Sequence, residues 1–354
     1  MSNQINVGLV AFGMSGKSFH APFIHANPNL HLKTVVERHN EKSKQKYPHV
    51  TVVRSLDELL TDDSIQLVVI TTPNHLHYNM AEKCIQAGKH VVIEKPFSVT
   101  STDADAIIDM ARKNNVLLTV YQNRRWDGDF QTIREILDKE MLGQVVEYEA
   151  HFDRYRTYIK PDSYKEERQP GSGILYDLGP HLIDQALQLF GKPNSVTADL
   201  RKQRPVTKVT DYFEIQLEYG DKKAILKAGM IVREKGPHFI IHGVDGSFVK
   251  YGMDPQEEKL LKGESPLSEG WGIEPRTEWG TMNADVNGLH FHGKIETKPG
   301  AYGIFYAELY NAIAEDGEVP VTPENARNTI RIIELAQQSS DENQTINITS
   351  DDLI

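Results

Sequence analysis

Cysteine is almost missing from this chain: the one present, Cys84, lies in the helix-like stretch YNMAEKCIQAG. An intrachain disulfide is therefore impossible, and a reducing compartment is the natural setting. Long apolar runs are missing too, none approaching the roughly 18 to 20 residues that cross a bilayer, so no membrane association is expected. The first strand-like run, Ile5 to Val10, starts so early that no signal peptide fits before it, which points to the cytoplasm. Without a signal peptide, the N-x-[ST] matches at Asn343 and Asn347 read as chance. Fixed-period repeats and low-complexity blocks are absent. Nor is there an excess of positive charge. Lys and Arg number 39 against 50 Asp and Glu, and the resulting net charge of −11 is spread along the chain. That balance argues against general nucleic-acid binding and for solubility.

What is there is length and rhythm. A chain of 354 residues exceeds one ordinary core, so two domains are expected. From residue 5 to about 120, the apolar runs INVGLVAFG, LHLKTVVE, SIQLVVITT, HVVIEKP and VLLTVYQ alternate with segments of helical spacing such as TDADAIIDMARKNN. Five strands in that order predict βαβ units and a parallel, Rossmann-like sheet. From about residue 145 the runs alternate apolar and polar residues (VVEYEAHFDRYR, TDYFEIQLEYG, KAILKAGMIVRE, HFIIHGVDGSFVKYG), as in an antiparallel sheet with one covered face. Between the first two, PHLIDQALQLFG predicts a helix with Pro180 in its first turn and Gly191 just past its end. IFYAELYNAIAEDG and PENARNTIRIIELAQQ are amphipathic helices able to pack on either domain, and the polar tail from about Ser339 reads as loosely held. The expected fold class is α/β: an N-terminal Rossmann domain over residues 1–122, then an α+β domain over residues 123–354 with a large, mainly antiparallel open sheet.

The segment VGLVAFGMSGKSFHAPF follows the first strand and opens a helix, where backbone N–H groups and the helix dipole hold a pyrophosphate. Two motifs overlap there. As G-x-G-x-x-G it falls on Ala11, Gly13 and Gly16; as a P-loop it falls on Ala11, Gly16, Lys17 and Ser18, each with Ala in place of the first glycine. A P-loop enzyme also calls for an apolar strand ending in Asp, whereas LVVITTPN ends in threonines, Pro73 and Asn74. The second strand, in contrast, ends at Glu37 and Arg38, about 20 residues after the loop, where a dinucleotide fold selects its ribose. Gly13 permits close approach of phosphates, and Gly16 close packing of helix on strand. Glu37 suits the ribose 2′-hydroxyl of NAD; Arg38, with Lys42 and Lys44 nearby, suits the 2′-phosphate of NADP provided Glu37 turns away. NADP is the expected cofactor, with NAD as the alternative. Phe12, Gly13, Met14, Ser15, Glu37, Arg38, Thr72, Pro73, Asn74, His77, Glu94 and Lys95 are the candidate cofactor contacts.

Further along, TTPNHLHYNMAEKCIQAGKHVVIEKP and GSGILYDLGPHLIDQAL resemble the Gfo/Idh/MocA oxidoreductase family, which includes inositol dehydrogenases and glucose–fructose oxidoreductase. The phosphate loop, T-P-N-x-x-H, E-K-P and D-x-G-x-H occur in family order, and the likeness extends over nearly the whole chain. AFGMSGKSFHAPF and QNRRWDGDF look most like the branch containing NADP-linked scyllo-inositol dehydrogenases. Ala11 for the first glycine and Ser172 in a stretch often richer in glycine are departures.

Oxidising a secondary alcohol calls for a base at the hydroxyl and a donor that steadies the developing alkoxide. Lys95, Asp177 and His181 meet those needs. Lys95 ends a buried strand at the carboxyl edge of the sheet, where open α/β sheets bind ligands. Asp177 and His181 share a face if one helix contains both; otherwise Asp177 caps the helix and His181 packs. The resemblance implies His181 as acid/base, Lys95 as an aid to proton transfer and substrate orientation, Asp177 as a hydroxyl ligand, and Pro96 as the residue that aims Lys95. Arg124, Arg125, Trp126 and Tyr155 are candidates for lining the substrate side, with salt bridges and packing as the competing reading. His75/His77 and His290/His292 have strand-like spacing but no third ligand, so no metal is expected.

The expected activity is NAD(P)-dependent dehydrogenation of a small cyclic polyol or sugar, first of all scyllo-inositol/inosose interconversion, by a homodimer or homotetramer assembled through the C-terminal sheet. An NAD-dependent glycosidase-type enzyme and a nonenzymatic dinucleotide or sugar sensor of the same fold are the alternatives.

Overall fold

The computed structural model describes residues 4–161 and 163–354. The chain divides into two compact units, one built from residues 1–123, 256–271 and 301–327, the other from 124–255, 272–300 and 328–354.

In the first unit, six aliphatic, β-branched runs form a wholly parallel sheet: β1 (Ile5–Val10), β2 (Leu30–Val36), β3 (Thr51–Val53), β4 (Leu67–Ile70), β5 (His90–Glu94) and β6 (Leu118–Tyr121), in the order β3-β2-β1-β4-β5-β6. Every residue of β4 is buried, as befits a strand covered on both faces. The sequence rhythm predicts five strands. The sixth, β3, is a three-residue edge strand too short to show a period. Between the strands run α1 (Ala21–Ala26), α2 (Lys42–Lys46), α3 (Leu56–Leu60), α4 (His77–Gln86), which buries Cys84, and α5 (Ser101–Lys113). Thr100 caps α5 by accepting from the Asp103 N–H at 3.1 Å. Because all six strands run the same way, every carboxyl end lies on one edge. The order reverses between β1 and β4, the place where such sheets take ligands.

The second unit opens with α6 (Gly128–Asp138) and β7 (Val145–His151), followed by α7 (Ile174–Phe190), β8 (Ser195–Arg201), β9 (Tyr212–Glu218), β10 (Lys223–Gly229), β11 (Phe239–Gly243) and β12 (Gly246–Lys250). After α8 (Gln256–Lys262) come β13 (Gly280–Val286), β14 (Leu289–Ile295), α9 (Gly303–Ala314), α10 (Pro323–Glu342) and β15 (Ile346–Asn347); of these, α8, α9 and the start of α10 belong to the first unit. The nine-stranded sheet has the order β14-β13-β12-β11-β7-β10-β9-β8-β15 and is antiparallel except where β10 runs parallel to β7. Its alternation is the predicted one. Phe213, Ile215 and Leu217 face the core under α7, while Glu214, Gln216 and Glu218 face outward beside Lys223 and Lys227. Among the described residues, no helix is long and apolar enough to cross a membrane.

Two expectations are corrected. Helix α7 begins at Ile174, so Pro180 sits inside it rather than in its first turn. Pro180 has no N–H for the carbonyl one turn back, which ordinarily costs about 3 kcal/mol. The buried stripe Leu175, Leu178, Leu182 and Ile183 offsets that loss. Nor is the tail loose. The Ser339 hydroxyl accepts from the Ala198 N–H (3.0 Å) and donates to the Gln344 carbonyl (2.6 Å), and the Ser340 hydroxyl accepts from the Leu200 N–H (3.1 Å). These serines satisfy edge groups of β8 that lack a strand partner there, β15 pairs with Ser195 and Val196, and Leu353 is buried.

Candidate active site

In the first unit the loop after β1 is shaped by three small residues. Ala11 has φ +76°, the left-handed region that favours glycine, so the missing first glycine is felt as local strain. A Cβ on Gly13 would meet nothing within 4 Å, which leaves the loop backbone open to a ligand. A Cβ on Gly16 would come within 2.4 Å of the Ala11 carbonyl oxygen and 2.9 Å of Thr71 Oγ1. Gly16 therefore has no room for a side chain, whereas Gly13 has. The Thr71 hydroxyl donates to the Val10 carbonyl at 2.9 Å, tying β4 to β1 at the switch point. Met14 is exposed, Phe12 meets Tyr47 edge-on at 6.3 Å, and Thr72 and Pro73 are half-buried at the end of β4.

Glu37 is at the predicted place but faces elsewhere. Its carboxylate accepts from the Ser43 N–H (2.8 Å) and hydroxyl (2.5 Å) and from the Lys42 N–H (3.0 Å), so it caps α2 from a buried position. Both carboxylate oxygens are thus engaged at the first turn of α2. Arg38, Lys42 and Lys44 stay exposed around it. His77 braces the end of β4 against the E-K-P turn. Its ring is fully buried between two carbonyls, with Nδ1 3.0 Å from that of Pro96 and Nε2 3.0 Å from that of Thr72, and burial lowers its pKa. Asn74 is buried at the start of a 3₁₀ turn, Asn74–Leu76, just ahead of it.

Glu94 ends β5 and is buried. It accepts from the Ser15 hydroxyl in a very short bond, from His20 Nε2 at 3.1 Å and from the Lys95 N–H at 2.8 Å. Burial pushes its carboxyl up, but the His20 hydrogen bond and charge, then Lys95 and Ser15, outweigh this and hold it at about 2. The other nitrogen of His20 lies 2.6 Å from the Tyr306 hydroxyl, and the ring packs at a tilt against Tyr121, centroids 4.3 Å apart. Burial pushes the Tyr306 phenol well above its ordinary pKa, so it keeps its proton. The phosphate loop, the E-K-P turn and α9 thus meet at one polar knot. Lys95 stands half-buried beside it, ahead of a cis Lys95–Pro96 bond.

In the second unit Asp177 and His181 both lie in α7, four residues apart on one face, and Asp184 extends the same stripe. His181 is buried, while solvent still reaches the Asp177 carboxylate. Lys165 donates to Asp177 Oδ1 in a very short bond, and Arg154 Nη1 lies 3.5 Å from Oδ2. Burial works against the Lys165 charge, but Asp177 outweighs it and raises the lysine pKa. Asp184 receives both arms of Arg125, at 2.8 and 2.6 Å, with both partners buried, so the Arg125 fork secures α7. Arg124 donates to Asp127 at 3.0 Å and lies 4.9 Å over the Phe152 ring, while Arg154 lies 5.2 Å from the same ring. Trp126 is buried; Tyr155 is exposed, with Arg233 5.1 Å over its ring. His20 lies in the AFGMSGKSFHAPF stretch, whereas Tyr306, Lys165, Arg154 and Asp184 carry no motif of their own. Of the latter, only Asp184 had a readable signal, as the third member of the stripe begun by Asp177 and His181.

Comparison with known proteins shows the family of the chain. Residues 5–122 match the description "Oxidoreductase family, NAD-binding Rossmann fold", and residues 134–348 match "Oxidoreductase family, C-terminal alpha/beta domain". The scyllo-inositol 2-dehydrogenase (NADP(+)) IolW of Bacillus subtilis is 40% identical over 97% of this chain and 96% of its own. The uncharacterized oxidoreductase YdgJ of Escherichia coli is 41% identical over 98% and 99%. Among solved structures, the oxidoreductase yvaA of Bacillus subtilis superposes with a TM-score of 0.95 at 38% identity, covering 99% of both chains. An oxidoreductase of Bacteroides fragilis gives 0.90 at 45% identity, covering 98% of this chain and 100% of its own.

Proposed function

The chain belongs to the Gfo/Idh/MocA oxidoreductase family, and we propose that within it the protein transfers a hydride between NADP and a secondary alcohol of a cyclic polyol or sugar, scyllo-inositol and its ketone being the first pair to test. The observation that carries this reading is the Asp177/His181 face of α7, which offers a hydroxyl ligand and an acid/base from one rigid element. A bound nicotinamide supplies the hydride acceptor for oxidation and the donor for reduction. His181 takes the hydroxyl proton in one direction and returns it in the other; Lys95 steadies the oxygen as charge builds on it; Asp177 accepts from a substrate hydroxyl. The open backbone at Gly13 fits a pyrophosphate. The engagement of Glu37 with α2 supports NADP over NAD, since the exposed cations beside it, Arg38, Lys42 and Lys44, suit an anion. A homodimer or homotetramer through the open sheet face and a cytoplasmic location belong to the same reading.

The test is a panel of inositol isomers, aldoses and their keto forms with both cofactors, followed by nicotinamide absorbance. Net production of reduced cofactor from a polyol is the expected result and separates a dehydrogenase from an enzyme that oxidises only transiently. Tight cofactor binding without turnover across the panel would replace the proposal with a sensor. Lys95→Met and His181→Ala are each expected to lower kcat about 10²- to 10⁴-fold with the cofactor Kd nearly unchanged. Full activity in either variant removes that residue from the mechanism.

A further inference from the structure

Asp177 does not stand alone on its helix. Lys165 reaches it from the segment before α7, and that segment is anchored with unusual care. The neighbouring Glu166 is buried and takes Arg204 Nη2 at 2.8 Å and Arg156 Nη2 at 2.9 Å. Arg204 in turn donates to Asp211 at 2.8 Å and to the Tyr158 carbonyl at 2.9 Å, with Arg204 and Asp211 both buried. The Lys165 carbonyl accepts from the Gly173 N–H at 3.0 Å, one residue before α7 begins. A long, flexible lysine stem is thereby launched from a fixed backbone towards one carboxylate. The side chains of Lys165, Arg154 and Asp177 nevertheless retain 36%, 34% and 15% of their exposure, so this is a polar cluster that a ligand can reach rather than a sealed structural bridge.

We infer that Lys165 is a specificity-determining residue that works with Asp177 to grip two adjacent hydroxyls of the substrate, a vicinal diol. The inference rests on the polyol reading above and sharpens it. An ionised carboxylate only accepts hydrogen bonds and an ammonium only donates them, whereas a hydroxyl does both. Side by side, Asp177 takes the proton of one hydroxyl and Lys165 donates to the oxygen of its neighbour, a pairing that a lone alcohol cannot complete. A carboxylate accepts at about four sites, so its bonds to Lys165 and Arg154 are compatible with a further one from a ligand. Sites built to hydrogen-bond a hydroxyl discriminate against analogues that lack it.

The experiment compares wild type, Lys165→Met and Lys165→Arg on the best polyol of the panel and on its analogue lacking the adjacent hydroxyl. KM, kcat, cofactor Kd and thermal midpoint are measured for each. Lys165→Met is expected to raise KM for the polyol by about ten- to a hundredfold, the weight of a hydrogen bond to a charged group, with kcat and cofactor Kd little changed. Lys165→Arg, which keeps a donor, is expected to recover most of that loss. On the deoxy analogue, wild type and Lys165→Met are expected to behave alike. An equal loss on both substrates, or a loss that tracks the thermal midpoint, shows a merely structural lysine and overturns the inference. Unchanged KM in Lys165→Met does the same while leaving the polyol reading intact. No turnover of any polyol by wild type overturns both.

Discussion

Glu94 illustrates how much one buried carboxylate can organise. It receives the Ser15 hydroxyl, His20 and the Lys95 N–H, and so joins the phosphate loop to the turn that carries Lys95. Its pKa of about 2 lies below the ordinary 4.5, so the folded state binds that proton less well than the unfolded chain. The stabilisation is therefore complete above about pH 4.5 and disappears as pH falls through about 2. Denaturant unfolding of wild type and Glu94→Gln between pH 7 and pH 2 should show wild type losing stability over that window and the variant losing less of it. Parallel curves would show that the knot contributes no linkage. E-K-P marked Glu94 and Lys95 in the sequence. The partners His20 and Tyr306 were not readable, because Tyr306 lies more than 200 residues further along and no local pattern reports so distant a contact.

At the scale of elements, the glycines of the β1 loop make separable predictions. Gly16→Ala drives a methyl into the Ala11 carbonyl and Thr71, backbone and short side chain that have little room to give. It should cost about 1 to 3 kcal/mol in denaturant unfolding. Gly13→Ala meets open space, so it should leave stability nearly unchanged while weakening cofactor binding, read by fluorescence titration. Equal stability losses in the two variants would contradict this division. The parallel strands, the loop and the outward alternation of the second sheet were legible because each is a repeating local pattern. The start of α7 was not. Pro180 is a local signal for a helix start, and the buried stripe from Leu175 to Ile183 overrode it. The tail misled for a similar reason, since serines that read as polar chain turn out to complete the edge of β8.

For the molecule as a whole, cofactor choice is best tested by linkage. A ligand that binds only the folded state at about 100 times its Kd adds about 2.7 kcal/mol of stability. NADP+ should therefore raise the thermal midpoint more than NAD+ at equal concentration, and Arg38→Ala should erase the difference while leaving the NAD+ shift in place. A larger shift with NAD+ in wild type would reverse the proposed preference. The residues from 256 to 271 and from 301 to 327 belong to the first compact unit although they follow most of the second in the chain. Tyr306 reaches His20 only because of that return, so the first unit's polar knot depends on a late segment of the sequence.

By itself the sequence determined the two sheet types, the phosphate loop, the family and the candidates Lys95, Asp177 and His181, because periodicity, turn chemistry and short motifs are local and survive without knowledge of the fold. The tertiary structure alone decided what those residues touch: Glu37 turned to cap α2, His77 buried between two carbonyls, Arg125 committed to Asp184, and Lys165 brought to Asp177. Side-chain partnership depends on which segments pack together, and whether a charge faces a ligand, a helix end or another charge is settled only when the chain has closed on itself.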